Sequence, residues 1–195
     1  MEQHIPKYVL TGGPGVGKTT LLNHLQQKYP ILKESAREII TEQSSRTNDP
    51  ILPWTKYEQF QYLVLERQQQ KESTITKPTI LDRGIIDGVA YARHASLYLP
   101  DLESAAQKTT YAAIFILDQL PTYQNDSERR EDPKLAFELH NIILHTYQEF
   151  GYSPITIPVG TIEFRAQCIE NHIQKSYIQK YHLLPHTTTK SVVCP

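Results

Sequence analysis

Two hydrophobic periods alternate along this chain. Short apolar runs lie at 7–11, 31–33, 78–81, 113–117 and 154–158 and read as buried strands, with 113–117 the most apolar of them. Between them, apolar residues recur at helical spacing. Leu21, Leu22 and Leu25 mark a helix over 18–29, and Ser35 caps one running through Ile39 and Ile40. A long helix is predicted over 55–73, with Tyr57, Phe60, Leu63 and Val64 inward and Gln61, Gln68, Gln69 and Gln70 facing water. Further helices are expected over 85–97, from Pro100, over 134–150 (Leu135, Leu139, Ile142, Ile143, Thr146 and Phe150 inward) and over 161–180 (Ile162, Ala166, Ile169 and Ile173 inward). Polar loops fill 43–53 and 121–133, both long enough to suggest function. The tail 183–195 carries no periodic signal.

Strands alternating with helices predict an α/β fold: a five-stranded parallel sheet with helices on both faces, a P-loop NTPase three-layer sandwich of nucleotide-kinase type. At 195 residues this suits a single domain over 1–182, with a lid loop at about 121–133 and a polar tail at 183–195.

Composition narrows the class by exclusion. The net charge is −1 and the basic residues form no long runs, so neither nucleic acid nor an anionic membrane is an expected partner. No apolar stretch nears the ~18 residues of a membrane span, and the N-terminus has no signal-peptide core, which suggests a cytoplasmic protein. Cys168 and Cys194 make no metal pattern and are most simply reduced thiols. Oligomeric state leaves no mark in the sequence.

The chemistry centres on Gly12-Gly13-Pro14-Gly15-Val16-Gly17-Lys18-Thr19-Thr20, which fits the phosphate-loop pattern G-x-x-x-x-G-K-[ST] between a strand and a helix. Its glycines let the main chain approach an anion, and successive N–H groups at a helix N-terminus cradle phosphate oxygens. Lys18 is expected on the β- and γ-phosphates and the Thr19 hydroxyl on Mg²⁺. Ligands of such sheets bind at the strands' carboxyl ends, and chemically useful residues stand there. Asp82 ends the third strand, where a carboxylate holds Mg²⁺. Its plain alternative is a helix cap. Glu34 follows the second strand as a general base or acceptor contact, and Arg37 one turn on clamps an anionic or carbonyl group. Their alternative is a weak i,i+3 salt bridge. Arg83 and Asp87 form an acceptor-binding edge, although an acid in a helix's first turn is favourable in its own right. Arg129 and Arg130 stand in the lid loop, where arginines neutralise a transferring phosphoryl group. Trp54 is an acceptor-stacking ring or a core aromatic, and Arg165 a base-stacking or surface residue.

Thr11 to Thr20, Glu34-Ser35-Ala36-Arg37-Glu38-Ile39-Ile40, Leu52-Pro53-Trp54, Leu81-Asp82-Arg83-Gly84 and Arg129-Arg130 together resemble a small AAA-like P-loop family. That family includes the ribosylnicotinamide-kinase domain of the bacterial NAD regulator NadR and a eukaryotic protein linked to photoreceptor channel translocation. The likeness runs from about residue 8 to 175. It implies a nucleotide-kinase-like core that binds ATP or GTP with Mg²⁺. Thr76-Lys77-Pro78-Thr79 lacks the aspartate of a guanine-reading Asn/Thr-Lys-x-Asp element, which favours ATP. The expected activity is phosphoryl transfer to a small nucleoside- or nucleotide-like acceptor. The alternative is an ATP- or GTP-hydrolysing switch that binds a partner and needs no small acceptor.

Overall fold

A computed structural model describes residues 5–120 and 133–181, with side chains defined over 5–120 and 134–176. The order is β1 (Lys7–Thr11), α1 (Lys18–Leu25), β2 (Ile31–Leu32), α2 (Ser35–Ser44), α3 (Tyr57–Ser73), β3 (Thr79–Asp82), α4 (Ile85–His94), α5 (Pro100–Lys108), β4 (Ala113–Leu117), α6 (Pro133–Glu149), β5 (Ile155–Ile157) and α7 (Ile162–Tyr181). All four strand pairings are parallel, in the order β2-β3-β1-β4-β5. β1 lies at the centre because it is apolar on both faces. Alternate residues feed two cores: Val9, Leu81, Ile114 and Ile116 pack under α3, α4, α5 and α6, whereas Tyr8, Leu10, Ile80, Phe115, Leu117 and Ile157 pack under α1 and α7. The strands' carboxyl ends therefore share one rim of the sheet, and the loops after β1 to β4 meet there.

The structure departs from the periodic reading where polar residues compete for the core. Gln61 and Gln68 are buried, not solvated, and with Leu65 and Glu72 they form the inner face of α3. Each buried polar group there is partnered, as burial requires. Gln68 accepts from the Ser35 hydroxyl at 2.7 Å and donates to Glu72 at 2.9 Å. Glu72 takes an ion pair from Lys7 at 2.7 Å and a hydrogen bond from the Tyr111 hydroxyl at 3.0 Å. On α6, Leu135 faces out, and Ala136, His140 and Tyr147 are buried. Ile162 is likewise surface-exposed on α7. α1 ends at Leu25 rather than Tyr29, its last carbonyl accepting from the amides of Lys28 and Tyr29 in a tight turn. Cys168 is fully buried and disulfide-bonded, not the reduced thiol expected, since two cysteines at this spacing carry no pairing signal. Among the described residues no helix is long and apolar enough to cross a membrane.

Candidate active site

The phosphate loop runs from the end of β1 into the N-terminus of α1. Gly17 is left-handed at φ 86°, a conformation costly for any residue with a Cβ. A Cβ on Gly13 would sit 2.7 Å from the Ala136 carbonyl oxygen, so α6 packs directly on the loop. His140, one turn along α6, accepts from the Gly13 amide at 3.4 Å through Nδ1, and Gln119 donates to the Ala136 carbonyl at 3.1 Å. On the other side Arg165 of α7 donates to the Val16 carbonyl at 2.7 Å and the Asp118 carbonyl at 3.2 Å. It is 4% exposed, and its Nε is buried without a partner. Arg165 thus braces the loop and does not lie on the surface. Val16 is buried, whereas Thr19 and Thr20 are exposed at the start of α1.

Lys18 folds back over the loop, donating to the Gly12 carbonyl at 3.0 Å and the Gly13 carbonyl at 2.9 Å. Among the described residues no carboxylate comes within ion-pair distance of its ammonium. Burial, aided by the charge of Arg83, pulls its pKa down to about 7, against the pull of Asp82, Glu34 and Asp87. Phosphate oxygens beside it would push that value back up.

Across the rim lies a cavity of about 460 Å³. Its wall is apolar where α2 and α3 contribute Ile40, Tyr57, Phe60 and Val64, and charged where it meets Pro14 and Lys18. Glu34 stands at the N-cap of α2. It accepts from Arg37 Nε at 2.8 Å and from Arg83 Nε at 3.3 Å. Burial alone would raise its pKa, but Arg83, Lys18 and Arg37 outweigh that and hold the carboxyl below its ordinary value. The i,i+3 pair foreseen between Glu34 and Arg37 is therefore present, and it lines the cavity. Arg83 has φ 69°. Its guanidinium reaches the Gly12 carbonyl at 3.3 Å and Asp87 at 3.1 Å and lies 4.9 Å over the ring of Tyr91.

Asp87 is buried, and both of its oxygens are engaged. Oδ1 accepts from Thr11 and Arg83, and Oδ2 accepts from the Gly84 amide at 2.8 Å and the Tyr147 hydroxyl at 2.6 Å. Asp87 is the acid foreseen in the first turn of its helix, and there it also accepts from the Gly84 amide that caps α4. Asp82 differs: its Oδ1 is buried with no hydrogen-bond partner, and burial together with the nearby Glu34 raises its pKa. A buried carboxylate oxygen left without a partner is a donor that suits Mg²⁺, a hard cation that keeps water and phosphate in its remaining positions. No cluster of three or more His, Cys, Asp or Glu that could hold a metal occurs among the described residues. Trp54 lines the cavity mouth with 68% of its surface exposed, so it is not a core aromatic. Arg129, Arg130 and the 183–195 tail lie outside the described residues. The periodic reading placed Gln61 in water and missed Tyr91, Tyr147 and His140; the only trace these three leave is position, since each sits a helical turn from a residue already singled out.

No curated protein matches the chain by sequence. Among solved structures, NadR in complex with NAD and AMP-PNP superposes with a TM-score of 0.62 at 16% identity, covering 95% of this chain and 52% of NadR. The chain thus spans about half the length of that protein. A NadR complex with NR gives a TM-score of 0.64 at 17% identity, over 95% and 54% of the two chains. Deoxyadenosine kinase from M. mycoides matches at 0.59 and 14% identity over 87% and 99% of the two chains, and thymidylate kinase from Candida albicans at 0.58 and 16% over 94% and 96%. These likenesses are of fold. The model of an AAA domain family matches residues 7–165, from the first strand to the arginine under the phosphate loop. The chain belongs to this AAA-domain family of P-loop NTPases, with the fold of the nucleoside and nucleotide kinases.

Proposed function

We propose that the protein is a Mg²⁺-dependent phosphotransferase that uses ATP, with GTP as an alternative donor, on a small nucleoside- or nucleotide-like acceptor. The observation that carries this reading is one continuous cavity in which Pro14 and Lys18 of the phosphate loop face Glu34, Arg37 and Trp54 across the rim. A protein that only hydrolyses nucleotide has no need of a largely apolar cavity that runs from the phosphate loop to Trp54. Lys18 and the loop amides hold the triphosphate. An acceptor hydroxyl lies beside Glu34, whose carboxylate, kept ionised by Arg37 and Arg83, takes its proton as the oxygen attacks the γ-phosphorus. The new O–P bond forms as the bond from the γ-phosphorus to the bridging oxygen breaks, and that oxygen keeps the electron pair and leaves as a terminal β-phosphate oxygen of ADP. Bound Mg²⁺ would offset the charge of the β- and γ-phosphates, and Asp82 and Thr19 are the residues that would hold it. Trp54 stacks on the acceptor ring, and Arg129 and Arg130 of the lid complete the cation set around the transferring group.

Glu34→Gln tests the reading. It should bind ATP as the wild type does and lose transfer by on the order of 10²- to 10⁴-fold. Equal transfer by the variant would refute the assignment of Glu34 as the base. Loss of ATP binding would instead make Glu34 a part of the donor site. The competing switch reading is favoured if wild type releases phosphate at one rate with or without any acceptor.

A further inference from the structure

We infer that two buried tyrosines, Tyr111 and Tyr147, are positioning residues for the transfer step: from behind the cavity wall they fix the turn after β3 so that the Arg83 guanidinium is set against Glu34 and the Gly12 carbonyl. This rests on the phosphotransferase reading above and adds to it two residues that do not line the cavity.

The turn is held in a conformation it would not take alone. Arg83 has φ 69°, costly for a residue with a Cβ, and such a backbone persists only where its surroundings over-determine it. Here successive main-chain groups are pinned one by one. The Arg83 amide donates to the Leu10 carbonyl at 3.2 Å, and the Arg83 carbonyl accepts from Gln68 Nε2 at 3.4 Å. The Gly84 amide donates to Asp87 Oδ2 at 2.8 Å, the oxygen that also accepts from the Tyr147 hydroxyl at 2.6 Å. The Ile85 amide donates to the Tyr111 hydroxyl oxygen at 2.8 Å, and that hydroxyl donates to Glu72 at 3.0 Å. Tyr111 packs on the turn itself, since a Cβ on Gly84 would lie 2.8 Å from its hydroxyl oxygen. Two tyrosine–carboxylate pairs thus converge on one helix start, where a single capping side chain ordinarily serves. Burial pushes both phenols well above their ordinary value, with Glu72 adding to this for Tyr111 and Asp87 for Tyr147, so each hydroxyl keeps the proton it donates.

What the turn carries is Arg83. Its Nη1 is 3.1 Å from Asp87 Oδ1 and 3.3 Å from the Gly12 carbonyl oxygen, and its Nε is 3.3 Å from Glu34. Asp87 is therefore held by Tyr147 at one oxygen and holds Arg83 with the other. Through Arg83 the two tyrosines reach both the phosphate loop and the carboxylate that takes the acceptor's proton. A reacting group misplaced by about 1 Å in such a site costs much of the rate, even when the change lies far from the chemistry.

The test uses the full chain, Mg-ATP and a mixed pool of nucleosides and nucleotides. Tyr111→Phe and Tyr147→Phe each remove one hydroxyl and leave the ring in its packing. In each, transfer at saturating ATP should slow by about tenfold, with ATP binding and the KM for ATP unchanged. Retained ATP binding also shows that the variant is folded. Arg83→Lys is the background that shows the route. There the added loss from either tyrosine variant should shrink to about twofold or less, because the group that the hydroxyls position is gone. Wild-type transfer rates in both Phe variants, with only a lowered melting temperature, would make the tyrosines struts of the fold and overturn the inference. A loss that persists undiminished beside Arg83→Lys overturns it too, as does weakened ATP binding with the transfer rate intact. Each of these results leaves the phosphotransferase reading standing. Wild-type ADP release matched one-for-one by free phosphate, whatever the pool, overturns that reading and the inference with it.

Discussion

The two sides of the rim handle their cations in opposite ways. On the donor side, Lys18 and Arg165 have no carboxylate at ion-pair distance among the described residues, and both donate to backbone carbonyls of the phosphate loop or of the residue after β4. On the acceptor side, Arg37 and Arg83 are tied to Glu34 and Asp87 at 2.8 to 3.3 Å. A cation held by carbonyls keeps its net charge for an anion, whereas a cation paired with a carboxylate is locally neutral. On the proposed function, the same residue types make a seat for phosphate on one side and a frame of paired charges on the other. What separates them is the partner, not the arginine or lysine itself.

The sharpest way to break this contrast is to remove the donor-side charge. Lys18→Ala should abolish turnover, by on the order of 10²-fold or more, with the fold retained, because the ammonium faces the loop rather than the core. Full activity in that variant would mean that the phosphate site lies elsewhere. Arg165→Met comes next. It deletes charged hydrogen bonds to the loop, so ATP binding should weaken by roughly tenfold. Thermal stability should hold or rise, because a buried guanidinium with no carboxylate at ion-pair distance among the described residues is costly. A lower melting temperature with unchanged ATP affinity would make Arg165 a strut of the fold alone.

The smallest effect concerns His140, which joins α6 to the loop. Burial lowers its pKa, helped by Lys18 and opposed by Asp118. The unfolded chain then binds the proton more readily than the native one. The contribution of His140 to stability is complete above the ordinary histidine value of about 6.5 and is lost as pH falls below it, with a slope of at most about 1.4 kcal/mol per pH unit. Melting temperatures between pH 7.5 and 5.5 should fall more steeply for wild type than for His140→Asn. Parallel curves would remove His140 from the account.

The strand order and the rim were legible because apolar runs and a glycine loop obey strong local rules. The alternate faces of β1 could be read as buried from Tyr8-Val9-Leu10 alone. The inner face of α3 could not. Gln68 and Glu72 stand at core spacing but look solvent-facing, and Ser35, Lys7 and Tyr111, brought from distant segments, make their burial tolerable. The same limit governs the site. Glu34, Asp82 and Arg83 could be picked out by their place after strands, but whether an arginine faces a ligand or a carboxylate is a tertiary fact. Asp87 shows this most clearly. Its sequence position fits both a favourable first-turn acid and an acceptor contact, and the hydroxyl of Tyr147, from 60 residues away, donates to its Oδ2.

The central claim is transfer, and a phosphate balance tests it directly. Wild-type protein with Mg-ATP is assayed for ADP and for free phosphate, with and without a mixed pool of nucleosides, nucleotides and small cofactors. The account predicts that the pool accelerates ADP formation without a matching rise in free phosphate, the missing phosphoryl groups being found on an organic acceptor. ADP matched one-for-one by free phosphate, at a rate the pool leaves unchanged, would contradict it.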